Sequence, residues 1–409
     1  MESNSASWRS PAVIVACGCL IATIGFGVRS TYGLFNTPLS EANGWGRDVF
    51  ALALALQNLL WGAAQPFAGA LADRLGPARV LAGGALLYGL GVALTPLATS
   101  PLILQLTSGV LVGVGLAGAS FTVVIAAFSR QMPPERRTWA AGIATAAGSM
   151  GQFLFAPMGQ AFIAAYGWGV AMMLLGGSVG FIILLSSALA GGQESHHHHA
   201  GPGAALSAGA ALREAFGHRS YVLLVMGFFV CGFHVAFITV HLPPYLKDLG
   251  LDPALAGWSI ALIGLFNVVG SYGSGVLGGR MPKRFLLSFI YAARAAVIAL
   301  FISLPVTPVT VLGFAAGMGL LWLSTVPPTS GLIAVMFGVR HLGMLFGVAF
   351  FSHQVGSFLG VWLGGVLFER TGSYDLVWWF SIALGILSAL VHLPIAERPA
   401  ARPVLVPAE

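Results

Sequence analysis

Two arginines, Arg29 and Arg294, stand inside long apolar runs of this 409-residue sequence. No acidic residue does, because all thirteen, from Glu2 to Glu409, lie between the apolar runs or near the ends of the chain. A charged side chain in hydrocarbon is costly, and where it occurs it serves a substrate, an ion pathway or a partner group. Positive groups without negative ones therefore predict a binding site for a small anion. A cation site and a relay of carboxylates are both disfavoured.

The depth of the two arginines follows from helical rise. Arg29 comes 18 residues after Pro11, where its apolar run begins, so at about 1.5 Å per residue it lies roughly 27 Å along a helix. At that depth a long side chain can reach the membrane interface, so an interfacial anchor and a substrate ligand are both open. Arg294 comes 10 residues after Arg284, which places it about 15 Å into the membrane.

Histidine could carry a proton where no carboxylate is present, because its pKa lies near neutrality. His234 and His353 fall near the middle of two later apolar runs, so both are candidates for proton coupling. A packed, hydrogen-bonded imidazole is the alternative for each. His353 is the better candidate, since Gln354 stands beside it.

Neutral polar side chains complete the predicted site. Amides and hydroxyls are costly against lipid unless they are paired, so most should face the interior of a helix bundle. We expect substrate contacts among Arg29, Tyr32, Asn58, Gln152, Asn267, Ser324, His353 and Gln354.

The composition shows what must hold these residues in place. The chain is 57% hydrophobic and 8% charged, whereas soluble domains carry about 25% charged residues. It is therefore an integral membrane protein. Its basic residues are spread over short loops, which argues against a nucleic-acid partner. No phosphate-binding loop occurs, and His196 to His199 sit on a Gly/Ala-rich stretch without the geometry of a defined metal site, so we expect neither cofactor nor metal.

Twelve runs are long enough to span a bilayer, each having about 20 mostly apolar residues. They cover 11–37, 48–72, 78–98, 101–128, 137–163, 168–190, 220–245, 254–279, 284–304, 308–336, 342–367 and 375–396. The pattern breaks once, at Gly191–Gly217, where Gly, Ala, Ser, Pro and His replace it. We predict an all-α membrane protein with twelve transmembrane helices in two pseudo-symmetric six-helix bundles. Their boundaries are 1–191 and 218–409, with a linker at 192–217.

The distribution of Lys and Arg predicts orientation. Fourteen of the 19 fall on one side of the predicted membrane, while Arg47, Lys247 and Arg370 fall on the other. Basic loops face the cytoplasm. Both termini and the linker are therefore expected in the cytoplasm, for a multi-pass protein of the cytoplasmic (inner) membrane.

A charged turn separates the second and third runs, and a weaker copy of it lies about half a chain later, from Gly275 to Arg284, which indicates an internal duplication. The first copy reads Gly-Ala-Leu-Ala-Asp-Arg-Leu-Gly-Pro-Ala-Arg. It resembles the loop between the second and third helices of major facilitator superfamily transporters, although Pro77 and Ala78 depart from the basic end of that pattern. The resemblance implies a gating loop made of Gly69, Asp73, Arg74, Gly76 and Arg79, with Arg280 from the copy.

A second resemblance concerns the first run. Arg29-Ser-Thr-Tyr32-Gly33-Leu-Phe35 is similar to the Lys-Ser-x-x-x-Phe-Phe stretch of monocarboxylate transporters, whose lysine contacts substrate. Gly44-Trp45 and the stretch from Gly372 to Asp375 also look like the bacterial relatives of monocarboxylate and oxalate/formate porters. This resemblance implies that Arg29 binds substrate.

The same resemblance has one departure and one further implication. Monocarboxylate transporters carry an Asp-x-x-x-Arg pair in the eighth helix, and Asn267 and Ser271 stand at those positions here. The usual carboxylate clamp and its proton-linked aspartate are therefore both missing. In that fold the ninth helix is peripheral, which implies that Arg294 is structural and turns inward to bond carbonyls or polar side chains.

The sequence thus predicts a secondary active transporter of a small organic anion, expected to be a carboxylate, working by alternating access. Its partners would be the anion, the lipid bilayer and, if transport is coupled, protons; it is not expected to be an enzyme. The alternative is an exporter of drug-like apolar compounds of the same superfamily. Abundant Phe and Trp, and the lack of acids within the spans, support that alternative.

Overall fold

The protein is described from a computed structural model, which covers residues 10–131, 134–190, 208–338 and 342–400. The side chains at 73, 126, 129–131, 134–141 and 208 lie outside the described part. Eleven helices in this part are long and apolar enough to cross a membrane. They are Pro11–Asn43, Arg47–Ala72, Pro77–Leu97, Pro101–Ile125, Gly142–Leu189, Arg219–Asp248, Pro253–Arg280, Lys283–Ser303, Pro308–Phe337, Leu342–Thr371 and Asp375–His392.

One of these helices crosses twice. Gly142–Leu189 has 48 residues, which is about 70 Å of helix, roughly twice the thickness of a hydrocarbon core. It belongs to the continuous helical run Pro134–Ser186, whose Gly167 has a φ of 77°. Glycine adopts this left-handed conformation without a steric penalty. Divided at Gly167, the run supplies the fifth and sixth spans, so the described residues contain the twelve predicted spans.

The spans pack as two related bundles. In the first, span 1 lies against span 5, span 2 against span 4, and span 3 against span 6. The second bundle repeats these pairs as 7 with 11, 8 with 10, and 9 with 12. The bundles meet where span 2 packs on span 11 and where span 8 packs on span 5. These two contacts are equivalent, because spans 2 and 5 of the first bundle correspond to spans 8 and 11 of the second. The predicted fold class is confirmed.

The boundaries of the two halves stay a prediction. Residues 191–207, which include His196 to His199, lie outside the described part. Within the predicted linker, Ala208–Gly217 forms a helix of ten residues that leads into the seventh span.

Close glycine contacts bring the spans of each bundle together. A Cβ atom on Gly151 would overlap the carbonyl oxygen of Thr23 in span 1, and one on Gly356 would overlap that of Phe229 in span 7. Gly142, nine residues before Gly151 in the same helix, has no atom of the described residues within 4 Å of its Cβ position. Lipid provides no hydrophobic force between helices, so packing of this kind must hold them.

Three spans are interrupted near their middle. The first passes through a 3-10 turn at Tyr32–Phe35 and continues to Asn43, beyond its predicted end. The fourth breaks between Val112–Gly118 and Phe121–Gln131, and the tenth between Pro308–Leu321 and Val326–Phe337. Interrupted backbone at membrane depth is tolerated only inside protein or beside a cavity.

The break in the tenth span precedes Pro327 and Pro328, although adjacent prolines predict a kink at their own position. Both occupy the first turn of Val326–Phe337. Backbone N–H groups in a first turn have no partner within the helix, so proline loses nothing there.

The predicted gating loop joins the second and third spans. The second helix ends at Leu75, the third begins at Pro77, and Gly76 between them has a φ of 89°, a conformation that favours glycine. Arg74, Arg79 and Arg280 are exposed, while the side chain of Asp73 lies outside the described part. We call this side of the molecule the Asp73 face. The opposite side, where the second span begins, is the Arg47 face.

Candidate substrate site

Arg29 lies near the middle of the first span, 14 residues before its end at Asn43. Its Nη2 donates a hydrogen bond of 2.6 Å to Oδ1 of Asn58 in the second span. Its guanidinium carbon lies 4.8 Å from the ring centroid of Trp61 and 5.9 Å from that of Phe26. The side chain therefore points into the first bundle, and no carboxylate among the described residues pairs with it.

A small void adjoins this arginine between spans 1, 2 and 4. Its volume is about 20 Å³, and its walls include Phe26, Arg29, Trp61, Ser120 and Phe121. This is room for a single water molecule. Ser120 stands at the break in the fourth span, where Gln65 donates to its hydroxyl over 3.1 Å. An interrupted helix, a cation and aromatic walls thus meet at mid-membrane depth.

Aromatic contacts connect Arg29 to the second bundle. The ring of Trp61 meets Phe350 of span 11 edge to face, with centroids 5.4 Å apart. Phe350 stacks on His353 at 5.8 Å, with the two rings 9° from parallel. Arg29 and His353 therefore lie at opposite ends of one row of rings that crosses between the bundles.

His353 and Gln354 lie together in the eleventh span. Nδ1 of His353 is 3.2 Å from Oε1 of Gln354. Gln354 is fully buried against Gly62 of the second span, whose Cβ position is 2.7 Å from that of Gln354. Its Nε2 has no partner among the described residues. This pair belongs to the interface between the bundles.

Gln152 and Asn267 form a second connection between the bundles, away from Arg29. Nε2 of Gln152 donates to the carbonyl of Ile260 in span 8 over 3.0 Å. Nδ2 of Asn267 donates to Oγ of Ser149 in span 5 over 2.9 Å, and its Oδ1 accepts the backbone N–H of Leu323 at the break in span 10. The residue at the position of the missing aspartate therefore supports a helix break and joins the bundles.

Three further predicted residues also lie apart from the void. The Tyr32 ring stacks on Phe50 toward the Arg47 face. The hydroxyl of Ser324 donates to Leu320 O in its own span. His234 faces span 12, where its Nε2 is 2.8 Å from Ser381 O. Of the two predicted coupling histidines, only His353 lies at the bundle interface.

Arg294 is fully buried within the second bundle. Its guanidinium donates to the carbonyl oxygens of Leu321 and Trp322, which the break in the tenth span leaves free. The same group lies 3.5 Å from the Cys231 sulfur. These are the contacts that the predicted structural role requires, although the role itself stays a prediction.

The bundles are also joined at the Arg47 face. Arg47 of the first bundle binds Asp248 through two hydrogen bonds of 2.5 and 2.6 Å, and its backbone N–H donates to Glu369 over 2.6 Å. Its guanidinium also donates to the Tyr374 hydroxyl and lies 4.3 Å from the Phe368 ring centroid. Burial raises the pKa of Tyr374 to about 12, against the opposing effect of Arg47, so the hydroxyl stays protonated.

A more exposed ion pair accompanies these contacts. Lys247 donates to Glu41 over 2.7 Å, with 43% and 63% of the two side chains exposed. A cavity of about 360 Å³ lies beside both pairs, with Ser40, Glu41, Arg47 and Glu369 in its walls. We call Arg47, Asp248, Glu369, Lys247 and Glu41 the outer charge cluster.

Sequence reasoning missed several residues of this arrangement. Trp61 was detectable, because Gln65 follows it by one helical turn and accepts from its Nε1 over 3.0 Å. Ser120 and Phe121 gave no local signal, since nothing in their neighbourhood predicts a break in the fourth span. Of the outer charge cluster, the sequence singled out only Arg47 and Lys247, as basic residues on the less basic side; it did not pair them with Glu41, Asp248 or Glu369. Among the described residues, no group of His, Cys, Asp and Glu could hold a metal ion.

The sequence is also similar to a known protein family and to individual proteins. A profile of the Major Facilitator Superfamily matches residues 15–334. The chain is 25% identical to monocarboxylate transporter 13 of Bos taurus, over 96% of this chain and 92% of that protein. It is 28% identical to a probable sulfoacetate transporter of Cupriavidus necator, over 93% of each.

Solved structures show the same fold. A bacterial homologue of the human lysosomal transporter Spinster superposes with a TM-score of 0.75 at 15% identity, covering 95% of this chain and 97% of that one. A D-xylose–proton symporter superposes with a TM-score of 0.72 at 16% identity, with 95% and 97% covered.

Proposed function

Because this chain belongs to the major facilitator superfamily, we propose that it is a secondary transporter that carries a small organic anion across the membrane by alternating access. Members of the family are transporters rather than enzymes, and the two relatives above are named for monocarboxylates and for sulfoacetate. Both names denote small organic anions, which supports this substrate class here.

The surroundings of Arg29 carry the proposal. The guanidinium of Arg29 is held by the neutral Asn58 and two aromatic rings and has no counter-charge among the described residues. Several kcal/mol are lost when an ion leaves water unpaired, so retaining one at this depth needs a compensating function. An anion that enters between the bundles would supply the missing charge. This favours a substrate ligand over an interfacial anchor.

His353 is the proposed site of proton coupling. It lies across the row of rings from Arg29, and its imidazole contacts the amide of Gln354, the rings of Phe228 and Phe350, and the thiol of Cys231. Protonation would add a second positive charge at the other end of the row of rings. Anion binding and proton uptake would then favour each other, as in a symporter.

Uptake into proteoliposomes tests the proposal. Radiolabelled mono- and dicarboxylates and sulfoacetate would be supplied with and without a proton gradient. We expect uptake of at least one of these anions, and we expect Arg29→Gln to lower it by roughly tenfold or more, since a hydrogen bond to a charged group contributes about 1.5–3 kcal/mol. Arg370→Gln is the matched control, because Arg370 is exposed at the end of span 11.

Two results would contradict the proposal. Unchanged anion uptake by Arg29→Gln would make Arg29 a packing residue. Transport of a broad range of apolar compounds, indifferent to Arg29, would instead favour the drug exporter. The aromatic walls around Arg29 would suit such compounds equally well.

A further inference from the structure

The break in the fourth span leaves backbone donors free beside Arg29. The helix stops at Gly118 and resumes with the eleven residues Phe121–Gln131. In the new first turn, the N–H of Val123 donates to Ser120 O over 3.1 Å. Among the described residues, the N–H groups of Phe121 and Thr122 have no acceptor. A helix start with free N–H groups carries a partial positive charge and favours anions.

Arg29 is the independent observation at the same place. Its Nε is buried and has no acceptor among the described residues. Arg29 and Phe121 are both walls of the same void. Side chains lean toward the start of their helix, so the side chain of Arg29 leans toward the Asp73 face, where the first span begins. The fourth span begins on the Arg47 face, so the N–H groups at the start of Phe121–Gln131 point toward the Arg47 face. The two groups of donors therefore converge on the void.

We propose that the start of Phe121–Gln131 is the second anchor of the transported anion. The N–H groups of Phe121 and Thr122 bind one oxygen of a carboxylate or sulfonate head, while the guanidinium of Arg29 binds another. The inference rests on the proposed function, and it adds the backbone half of the site. The groups assigned to the charged head, the two N–H groups and the guanidinium, are all donors, so an anionic head is favoured over a cationic one.

The size of the void defines how binding proceeds. About 20 Å³ admits one water molecule but not a carboxylate. Arg29 must therefore release Oδ1 of Asn58 and take the anion in its place. Phe26, Trp61 and Phe121 then surround the carbon body of the substrate. The structure assigns this site to short organic anions with an apolar body next to the charged head.

A proline substitution removes one of these donors selectively. Phe121→Pro lacks the N–H at the first helical position, where proline is tolerated. Phe121→Ala is the matched control, since it also lacks the ring but keeps the N–H. Pyruvate and sulfoacetate are the probes, and the dissociation constant comes from thermal stabilisation of the purified full chain at increasing probe concentration. We expect Phe121→Pro to bind roughly tenfold more weakly than Phe121→Ala, because it loses a hydrogen bond to a charged group.

A second pair of variants tests the site without proline. Phe121→Asp puts a carboxylate at the helix start, a position that favours acids, and it should occupy the site and abolish probe binding. Phe121→Asn has the same shape without the charge and should still bind.

The outcomes separate the two proposals. Equal affinities within both pairs would overturn the backbone anchor, while loss of binding in Arg29→Gln would leave the proposed function standing. If Arg29→Gln also bound normally, both would fail. A parent protein stabilised by neither probe would overturn the assignment of short organic anions to this site.

Discussion

Arg29 and Arg294 show how the same residue type takes two roles inside one membrane protein. Arg294 donates through Nε and Nη2 to carbonyls that a broken helix has freed, while its Nη1 has no acceptor among the described residues. Arg29 has one neutral acceptor, and its Nε has none among the described residues. What distinguishes them is the void, because Arg29 forms part of its wall and Arg294 does not; on this ground we propose the solute for Arg29 and a structural role for Arg294.

The two histidines of the spans differ in the same way. His353 lies at the interface between the bundles, while His234 bonds Ser381 O inside the second bundle. If His353 is the proposed coupling site, we expect His353→Gln to flatten the dependence of anion uptake on a pH gradient, because glutamine cannot take up a proton together with the anion. The measurement is uptake into proteoliposomes with the interior pH fixed and the exterior pH varied.

His234→Gln serves as the control for that prediction and should retain the dependence. If His353→Gln retained it as well, His353 would be a packing residue, and transport would be uncoupled or coupled elsewhere.

At the scale of elements, glycine decides how closely the spans approach. Gly356 of span 11 leaves no room for a Cβ beside span 7, whereas the Cβ position of Gly347 in the same helix has no atom of the described residues within 4 Å. We expect Gly356→Ala to destabilise the purified protein by about 1–3 kcal/mol, the usual cost of overpacking. Gly347→Ala should be neutral or slightly stabilising, because alanine is the better helix former. Thermal unfolding in detergent measures both.

An equal effect of the two alanines would show that spans 7 and 11 can separate without loss. The close approach at Gly356 would then be incidental to the stability of the bundle.

Helix breaks in two spans place polar backbone groups inside the membrane. Breaks in the fourth and tenth spans occur at mid-membrane depth in each bundle, and each is held by polar side chains, Gln65 in one and Asn267 with Arg294 in the other. A continuous helix would offer no free N–H group at this depth. The interruptions therefore create polar sites without adding charged residues to the spans.

At the scale of the whole molecule, the outer charge cluster joins the two bundles at the Arg47 face. In the proposed alternating-access cycle this face opens, and Arg47 would then leave Asp248 and Glu369. The pair is worth more than a surface ion pair, since only 13% of the Arg47 side chain is exposed and its contact to Asp248 is bidentate.

We expect Arg47→Gln to expose the Arg47 face more often. The probe is a cysteine at Ser40, which is 6% exposed and lines the cavity there. Its labelling by an impermeant maleimide, above that of the native cysteines, should accelerate roughly tenfold for a loss of about 1.4 kcal/mol. Lys247→Gln is the control, because exposed ion pairs contribute about 0–1 kcal/mol.

Labelling that is the same in Arg47→Gln and Lys247→Gln would mean that packing, rather than charge, closes this face. The contacts of span 2 with span 11 would then be the elements to test.

The amino-acid sequence alone determined the fold class and the number of spans. Hydrocarbon excludes unpaired charge and unpaired backbone, so the positions of Asp73, Arg47 and the other charges mark where helices end. It also picked out Arg29, Asn58 and His353, since polar side chains are scarce in these runs. The sequence could not show that Gly356 contacts a neighbouring helix while Gly142 has no such contact among the described residues, because this difference depends on which helix packs beside each glycine.

Only the tertiary structure decided which polar residues meet. Arg29 and Asn58 are 29 positions apart, and the start of Phe121–Gln131 is far from both in the chain. At the break in the fourth span, Gly118 packs against Gly84 of the third span, a contact that only the tertiary structure reveals. A site made of one side chain and the end of a neighbouring helix exists only after packing, because the free N–H groups belong to the backbone that every residue shares.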